Sequence, residues 1–207
     1  MGRPTTPLII SRPPRVRLAP PTGRDKAEYL RVREDSAAWL EPWEPLLPAL
    51  ASGGGERSPI DDEAFERFYK SAETEISRRF LIRLIDHTAN PKPNPTPAKA
   101  GPIIGQVSIN NIVRGPFLSA TLGYWIAKPH AGLGLMAEAL SLAITHAFSD
   151  LALHRVEANI IPRNSPSIAL VKRLGFRYEG TATRYLRIAG QWEDHERWGL
   201  TAEEWPR

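Results

Sequence analysis

Cysteine is absent from the 207 residues. That excludes disulfides, thiolate metal ligands and a cysteine nucleophile. Long apolar runs are missing too, since none approaches the roughly 18 residues a membrane helix requires. The N-terminal stretch Leu8 to Ile10 is too brief for a signal-peptide core. A cytoplasmic protein with no membrane partner is therefore expected. The five histidines (His87, His130, His146, His154, His195) show no ligand spacing, so no metal is expected. Nor is there a long run of one charge. Net charge is +4 and the pI about 9.6, but acids interleave with bases, as in Arg31-Val32-Arg33-Glu34-Asp35. Such scatter favours a small polyanionic ligand or an RNA-rich neighbourhood over direct nucleic-acid binding. No internal repeat is visible.

What is present is ordinary for a globular domain, with 42% hydrophobic and 24% charged residues, and enough chain for one sizeable core. Many of the 20 prolines gather in residues 1–14 and 91–102. The first stretch reads as a flexible tail, the second as a loop joining two antiparallel strands, and residues 15–203 as a single domain. Val16 to Ala19 reads as a strand. Thr22 caps a helix that runs to about Asp35, with Asp25 three residues on. Pro42 and Pro45 in SAAWLEPWEP make Trp-containing turns that cannot continue that helix, and residues 51–57, with Gly53 to Gly55, read as a loop. Ser58 and Pro59 start a second helix with Phe65, Phe68, Tyr69 and Ala72 inward.

Arg79 to Ile85, Ile103 to Asn110 and Ala120 to Ile126 read as three strands of a meander. After a helix comes His154 to Ile160, another strand by its alternation. Ser165 and Pro166 then open a helix whose apolar side is Ile168, Leu170, Val171 and Leu174, closed by Gly175. Phe176 to Ile188 and Gln191 to Leu200 flank the turn Ala189-Gly190. This order predicts an α+β fold with a mixed, mostly antiparallel central sheet of about six to seven strands flanked by helices.

The stretch from Leu122 to Ser149 organises the chain: a strand, a tight loop (Ala131-Gly132-Leu133-Gly134), then a long amphipathic helix. Unpaired N–H groups and the positive dipole end make such a helix start an anion site when glycine lets a ligand approach. A plain connecting turn is the alternative. It is neither the dinucleotide fingerprint, whose third glycine is Ala137 here, nor a Walker loop.

This order, with the glycine turn at its centre, resembles the GNAT superfamily of N-acetyltransferases. The resemblance covers about residues 15–200. The stretches AFSDLALHRVEANIIPRNSPSIALVKRLGFRYEG, TRYLRIAGQWEDHERWGL and WLEPWEP resemble its branch of ribosomal-protein-alanine N-acetyltransferases, the RimJ/RimL type. It implies acetyl-CoA as co-substrate, its pyrophosphate on a Gln/Arg-x-x-Gly-x-Gly/Ala loop that falls here on Ala131 to Met136. Ala131 and Met136 depart from that pattern, so a basic or amide side-chain contact is missing. Gly132, Leu133, Gly134, Leu135 and Met136 are the implied backbone cradle. Trp125 and Ile126 are implied on the thioester, held where strands ending near Ile126 and Ile160 splay apart.

With no cysteine, direct attack by an amine within a ternary complex is the economical route. Many relatives carry a tyrosine acid where Val171 stands. The branch motif Asn-x-x-Ser instead implies Ser167 as proton donor to the thiolate, with Asn164 on the pantetheine arm. The alternative is that Ser165 caps the helix and Ser167 fills its first turn. Glu157 is the candidate base, although alternation can also turn it to solvent. Some relatives have a glutamate near the final hairpin where this chain has Arg184. Trp39 and Trp43 either line the acceptor cleft or plug the sheet. Asp194 and His195, adjacent in a strand, point to opposite faces and form no dyad. The expected acceptor is a protein N-terminus, possibly ribosomal; a small amine (antibiotic or toxin), or a non-catalytic acyl-CoA-binding module, is the alternative. A monomer or homodimer is expected.

Overall fold

Among the described residues eight strands form one sheet, and a single parallel pair interrupts its otherwise antiparallel order. The computed structural model describes residues 13–45, 62–85 and 101–206. The expected tail up to Arg12, the 51–57 loop, the Ser58-Pro59 helix start and most of the 91–102 loop lie outside them. The elements are β1 (Val16–Ala19), α1 (Lys26–Asp35), α2 (Ala37–Leu40), α3 (Asp62–Lys70), β2 (Glu73–Thr74), β3 (Ser77–Leu84), β4 (Ile103–Val113) and β5 (Ser119–Ile126). There follow α4 (Leu135–Thr145), β6 (Arg155–Ile160), α5 (Ser165–Arg173), β7 (Arg177–Ile188) and β8 (Gln191–Thr201). The sheet runs β1-β3-β4-β5-β6-β8-β7, with β2 paired to β3.

Period-two alternation sorts the side chains between two layers. Ala120, Leu122, Val156, Ala158, Trp198 and Leu200 face α4 and α5 in the larger core, where Leu140, Ile144 and Val171 are fully buried. The opposite face packs Leu81 and Ile103 against Tyr29 of α1 and Phe65 and Phe68 of α3. Each buried phenylalanine there contributes roughly 2–3 kcal/mol. Tyr69, expected inward, is 41% exposed. It stacks on Phe65 with ring centroids 6.2 Å apart, because the α3 stripe is filled by the two phenylalanines.

Helical structure continues further through the Trp segment than Pro42 and Pro45 suggest. After Ser36 the chain makes α2 and then a 3-10 turn, Glu41–Trp43, with Pro42 in its first positions. Proline is tolerated there because its missing N–H has no intrahelical acceptor anyway. Helix α4 is not amphipathic in the expected sense. Eight of its 11 residues are buried, since it runs along the centre of the large layer. The β7–β8 turn is as expected, with Ala189 and Gly190 both at positive φ (45° and 83°), the signature of a tight two-residue hairpin.

Candidate active site

Strands β5 and β6 are parallel but pair only at Ser119–Arg155, Ala120–Val156 and Thr121–Glu157. Beyond Thr121, β5 continues on β4 to Ile126 and β6 continues on β8 to Ile160. A wedge-shaped gap opens between them. Ala127 N donates to Ile104 O (2.8 Å), and antiparallel bonding alternates along a strand. That parity directs the N–H and C=O groups of Tyr124 and Ile126 away from β4 and into the gap. Gly105, opposite Ile126, keeps β4 close here, as a Cβ would lie 2.4 Å from the Trp125 carbonyl oxygen.

On the α5 side, Asn164 is the cap of the helix. Its Oδ1 accepts from Ser167 N (3.2 Å), so the expectation that Ser165 caps is corrected. Ser165 is the first helical residue and Pro166 the second. The cap turns Ser167 toward β5, where its Oγ lies 2.6 Å from the Tyr124 hydroxyl. Burial pushes the Tyr124 phenol up to about 12, against the smaller opposing effect of the Ser167 hydrogen bond. The phenol is therefore a proton carrier at neutral pH.

Below the gap, the glycine loop leads into α4. Gly132 (φ 74°) and Gly134 (φ 77°) are left-handed, and Gly134 is the N-cap. A Cβ on Gly132 would meet nothing within 4 Å, so there is room for a ligand at the backbone. Leu133 is exposed, while Leu135 and Met136 turn into the core. Glu138 N reaches back to Gly134 O (3.3 Å), leaving the first N–H groups of α4 without intrahelical acceptors. Arg15, next to β1, ties this turn down. Its Nε donates to Glu138 Oε1 (2.6 Å) and a terminal nitrogen to Leu133 O (3.1 Å).

Across the other face, residues 36–45 form an arch over the open end of the gap. Trp39 Nε1 donates to Ile126 O (3.1 Å). Buried Arg33 pairs with Glu44 and lies over the Trp125 ring at 4.9 Å. Arg163 lies over Trp43 at 5.0 Å and donates to Pro42 O and Glu193. Pro45 bridges Ile188. Glu157 sits on this face at the closed end of the gap, 7% exposed. Its Oε1 accepts from Arg155 Nε (2.9 Å) and its Oε2 from Arg197 (3.1 Å).

A model of the acetyltransferase (GNAT) domain family matches residues 15–177. The chain belongs to the GNAT acetyltransferase family. It is 46% identical over 185 residues to the ribosomal protein uS5-alanine N-acetyltransferase of Escherichia coli K12, spanning 88% of this chain and 85% of that one. It is 44% identical over 94 residues to "Probable N-acetyltransferase YjcK" of Bacillus subtilis, 45% of this chain and 52% of that protein, so this match spans about half the length of the relative. Among solved structures, Mycobacterium smegmatis RimJ in complex with CoA-disulfide superposes with a TM-score of 0.77 at 32% identity, covering 93% of this chain and 84% of that one. The protein is thus a GNAT N-acetyltransferase close to the ribosomal-protein-alanine acetyltransferases.

In this GNAT acetyltransferase the fold brings Ile126, Asn164, Ser167 and the Gly132–Met136 turn around one side of the gap. Trp39, Trp43, Trp125 and Glu157 lie toward the other, because Trp125 alternates with Tyr124 and Ile126. Two residues have no signal in the local sequence. Tyr124 reads as an ordinary strand residue, and Arg15 lies more than 100 positions from the loop it holds. Among the described residues no group of three or more acids and histidines gathers to hold a metal, and no helix is long and apolar enough to cross a membrane.

Proposed function

We propose that this enzyme transfers the acetyl group of acetyl-CoA to the α-amine of a protein N-terminus by direct attack in a ternary complex. The observation that carries the reading is the gap. It places an unpaired Ile126 N–H beside a hydroxyl pair, Tyr124 and Ser167, above a helix start with open space at Gly132. The pyrophosphate rests on the Gly132–Met136 backbone, and Arg15 supplies the cation that Ala131 lacks. The thioester lies in the gap with its carbonyl oxygen toward Ile126 N–H, which stabilises the developing oxyanion. The amine enters under the Trp39–Trp43 arch, attacks the carbonyl carbon, and the C–S bond breaks. Ser167, backed by the Tyr124 phenol, gives the leaving thiolate its proton.

An α-amine is chemically suited to this site. With a pKa near 8, about a tenth of it is neutral at pH 7, whereas a lysine near 10.4 is almost wholly charged. The relative from Escherichia coli acts, by its name, on an alanine of a ribosomal protein, which supports an N-terminal acceptor. The deciding experiment offers acetyl-CoA with peptides beginning in Ala or Ser, beside an N-terminally blocked peptide that contains lysine. Faster acetylation of the free α-amines is expected near neutral pH. Equal rates on the blocked peptide would remove the N-terminal reading.

Arg15 provides a second check. Arg15→Lys keeps a charge for buried Glu138 but loses the fork that spans Glu138 and Leu133 O. The Kd for acetyl-CoA should rise roughly tenfold, about one charge-assisted contact. Turnover of S-acetylpantetheine, which has no pyrophosphate, should stay unchanged.

A further inference from the structure

One buried titratable group has no part in the reaction as described so far. His195 is 2% exposed and follows Asp194 on β8. By the β6–β8 register it falls opposite Ile161, just past the end of β6. It shares the arch face with Arg197 and Glu157, and with Glu193, which Arg163 holds beneath Trp43. Its Nδ1 lies 3.0 Å from Glu193 O. A carbonyl can only accept, so Nδ1 carries the proton and Nε2 presents a lone pair. Burial lowers the imidazole pKa below its ordinary value, against smaller raising effects from the Glu193 backbone bond and the Glu193 and Asp194 charges. The Tyr185 ring of β7 is 5.6 Å away, and Arg163 is engaged by Glu193. Glu157 is held between Arg155 and Arg197.

A second observation points to a ligand in the same place. Asn159 of β6 lies past the last β5–β6 pair, beside the gap and on the arch face, opposite Arg197. Its Oδ1 is buried without any hydrogen-bond partner. A buried acceptor without a donor is destabilising, and an incoming amine is a donor. His195 is the diagonal neighbour of Asn159 across β6 and β8.

We infer that Asn159 Oδ1 and His195 Nε2 receive the acceptor amine, and that His195, directly or through one water, takes the proton the nitrogen loses as the amide forms. This rests on the acetyl-transfer reading above. The N–C bond forms, the C–S bond breaks, the nitrogen's proton goes to Nε2 and then to solvent, and the thiolate is protonated from the Ser167 side. Glu157 is a positioning group whose two oxygens are committed to arginines.

The test uses the full chain with saturating acetyl-CoA and an alanine-starting peptide. In the wild type kcat should fall on the acid side, with a midpoint below the ordinary imidazole value. His195→Gln should lower kcat about 100-fold, remove that limb, and leave acetyl-CoA affinity unchanged by calorimetry. Asn159→Ala should raise the peptide KM about tenfold with kcat little altered. A His195→Gln enzyme that keeps wild-type kcat and the acid limb overturns the inference and leaves the acetyl-transfer reading standing. A wild type inert on every amine overturns both. If His195→Gln does not fold, the wild-type limb decides: an imidazole midpoint moves down on warming, and one that does not move, as for a carboxylate, overturns the assignment.

Discussion

Gly134→Glu is expected to abolish acetyl-CoA binding while the chain still folds. Gly134 has φ 77°, and a side chain there costs about 1–2 kcal/mol of backbone strain. A typical domain, with about 5–15 kcal/mol of stability, survives that. A Cβ at this position would sit 3.4 Å from an Arg15 guanidinium nitrogen. The new carboxylate would therefore pair with Arg15 and occupy the place proposed for pyrophosphate, replacing attraction by repulsion. Calorimetry should show at least a 1000-fold loss, about 4 kcal/mol. Gly134→Ala, which adds the strain without the charge, should lose far less. Unchanged affinity in Gly134→Glu would mean that the phosphates bind elsewhere.

The second large effect is expected at the hydroxyl pair. Loss of a general acid costs about 100-fold or more in turnover, whereas loss of a first-turn serine costs little stability. Ser167→Ala should lower kcat by about that factor without changing acetyl-CoA affinity. Tyr124→Phe should do nearly the same, and the double variant little worse than either, because a hydrogen-bonded pair acts as one unit. With its pKa pushed to about 12, the phenol stays protonated through neutral pH, so Tyr124 adds no basic limb below that value. Asn164→Ala differs in kind. Loss of the cap costs about 1 kcal/mol of stability and frees Ser167, so Tm and kcat should fall together. Ser165→Ala, at a position that caps nothing, should be nearly silent. Wild-type kcat in Ser167→Ala, with chemistry limiting, would leave water as the acid.

Local chemistry made much of the fold legible. The long strands were marked to within a few residues by β-rich runs between turn signals and, for His154 to Ile160, by alternation. Gly175 and the Ala189-Gly190 turn announced themselves because positive φ restricts the residue choice. The motif Asn164-Ser165-Pro166-Ser167 was visible as a helix start. Which of its residues caps was not, because Asn and Ser are about equally good caps and Pro166 fits either of the first two helical positions. Tyr69 misled for a similar reason: a 3.6-residue stripe says which side is apolar, not where the core ends.

What the sequence by itself determined is the set of elements, the glycine turn before α4, the absence of a thiol nucleophile and the GNAT resemblance. These follow from interactions within a few residues, or from whole-chain composition. Only the tertiary structure decided where β5 parts from β6 and thus which backbone N–H groups lack a strand partner. It alone joined Tyr124 to Ser167 and Arg15 to the Leu133 turn, and set Asn159 diagonal to His195 across β6 and β8. Each placement spans strands or layers, and so depends on sheet order and register. A parallel pair that stops after three residues is decided by packing on both faces at once, which no local pattern in β5 or β6 encodes.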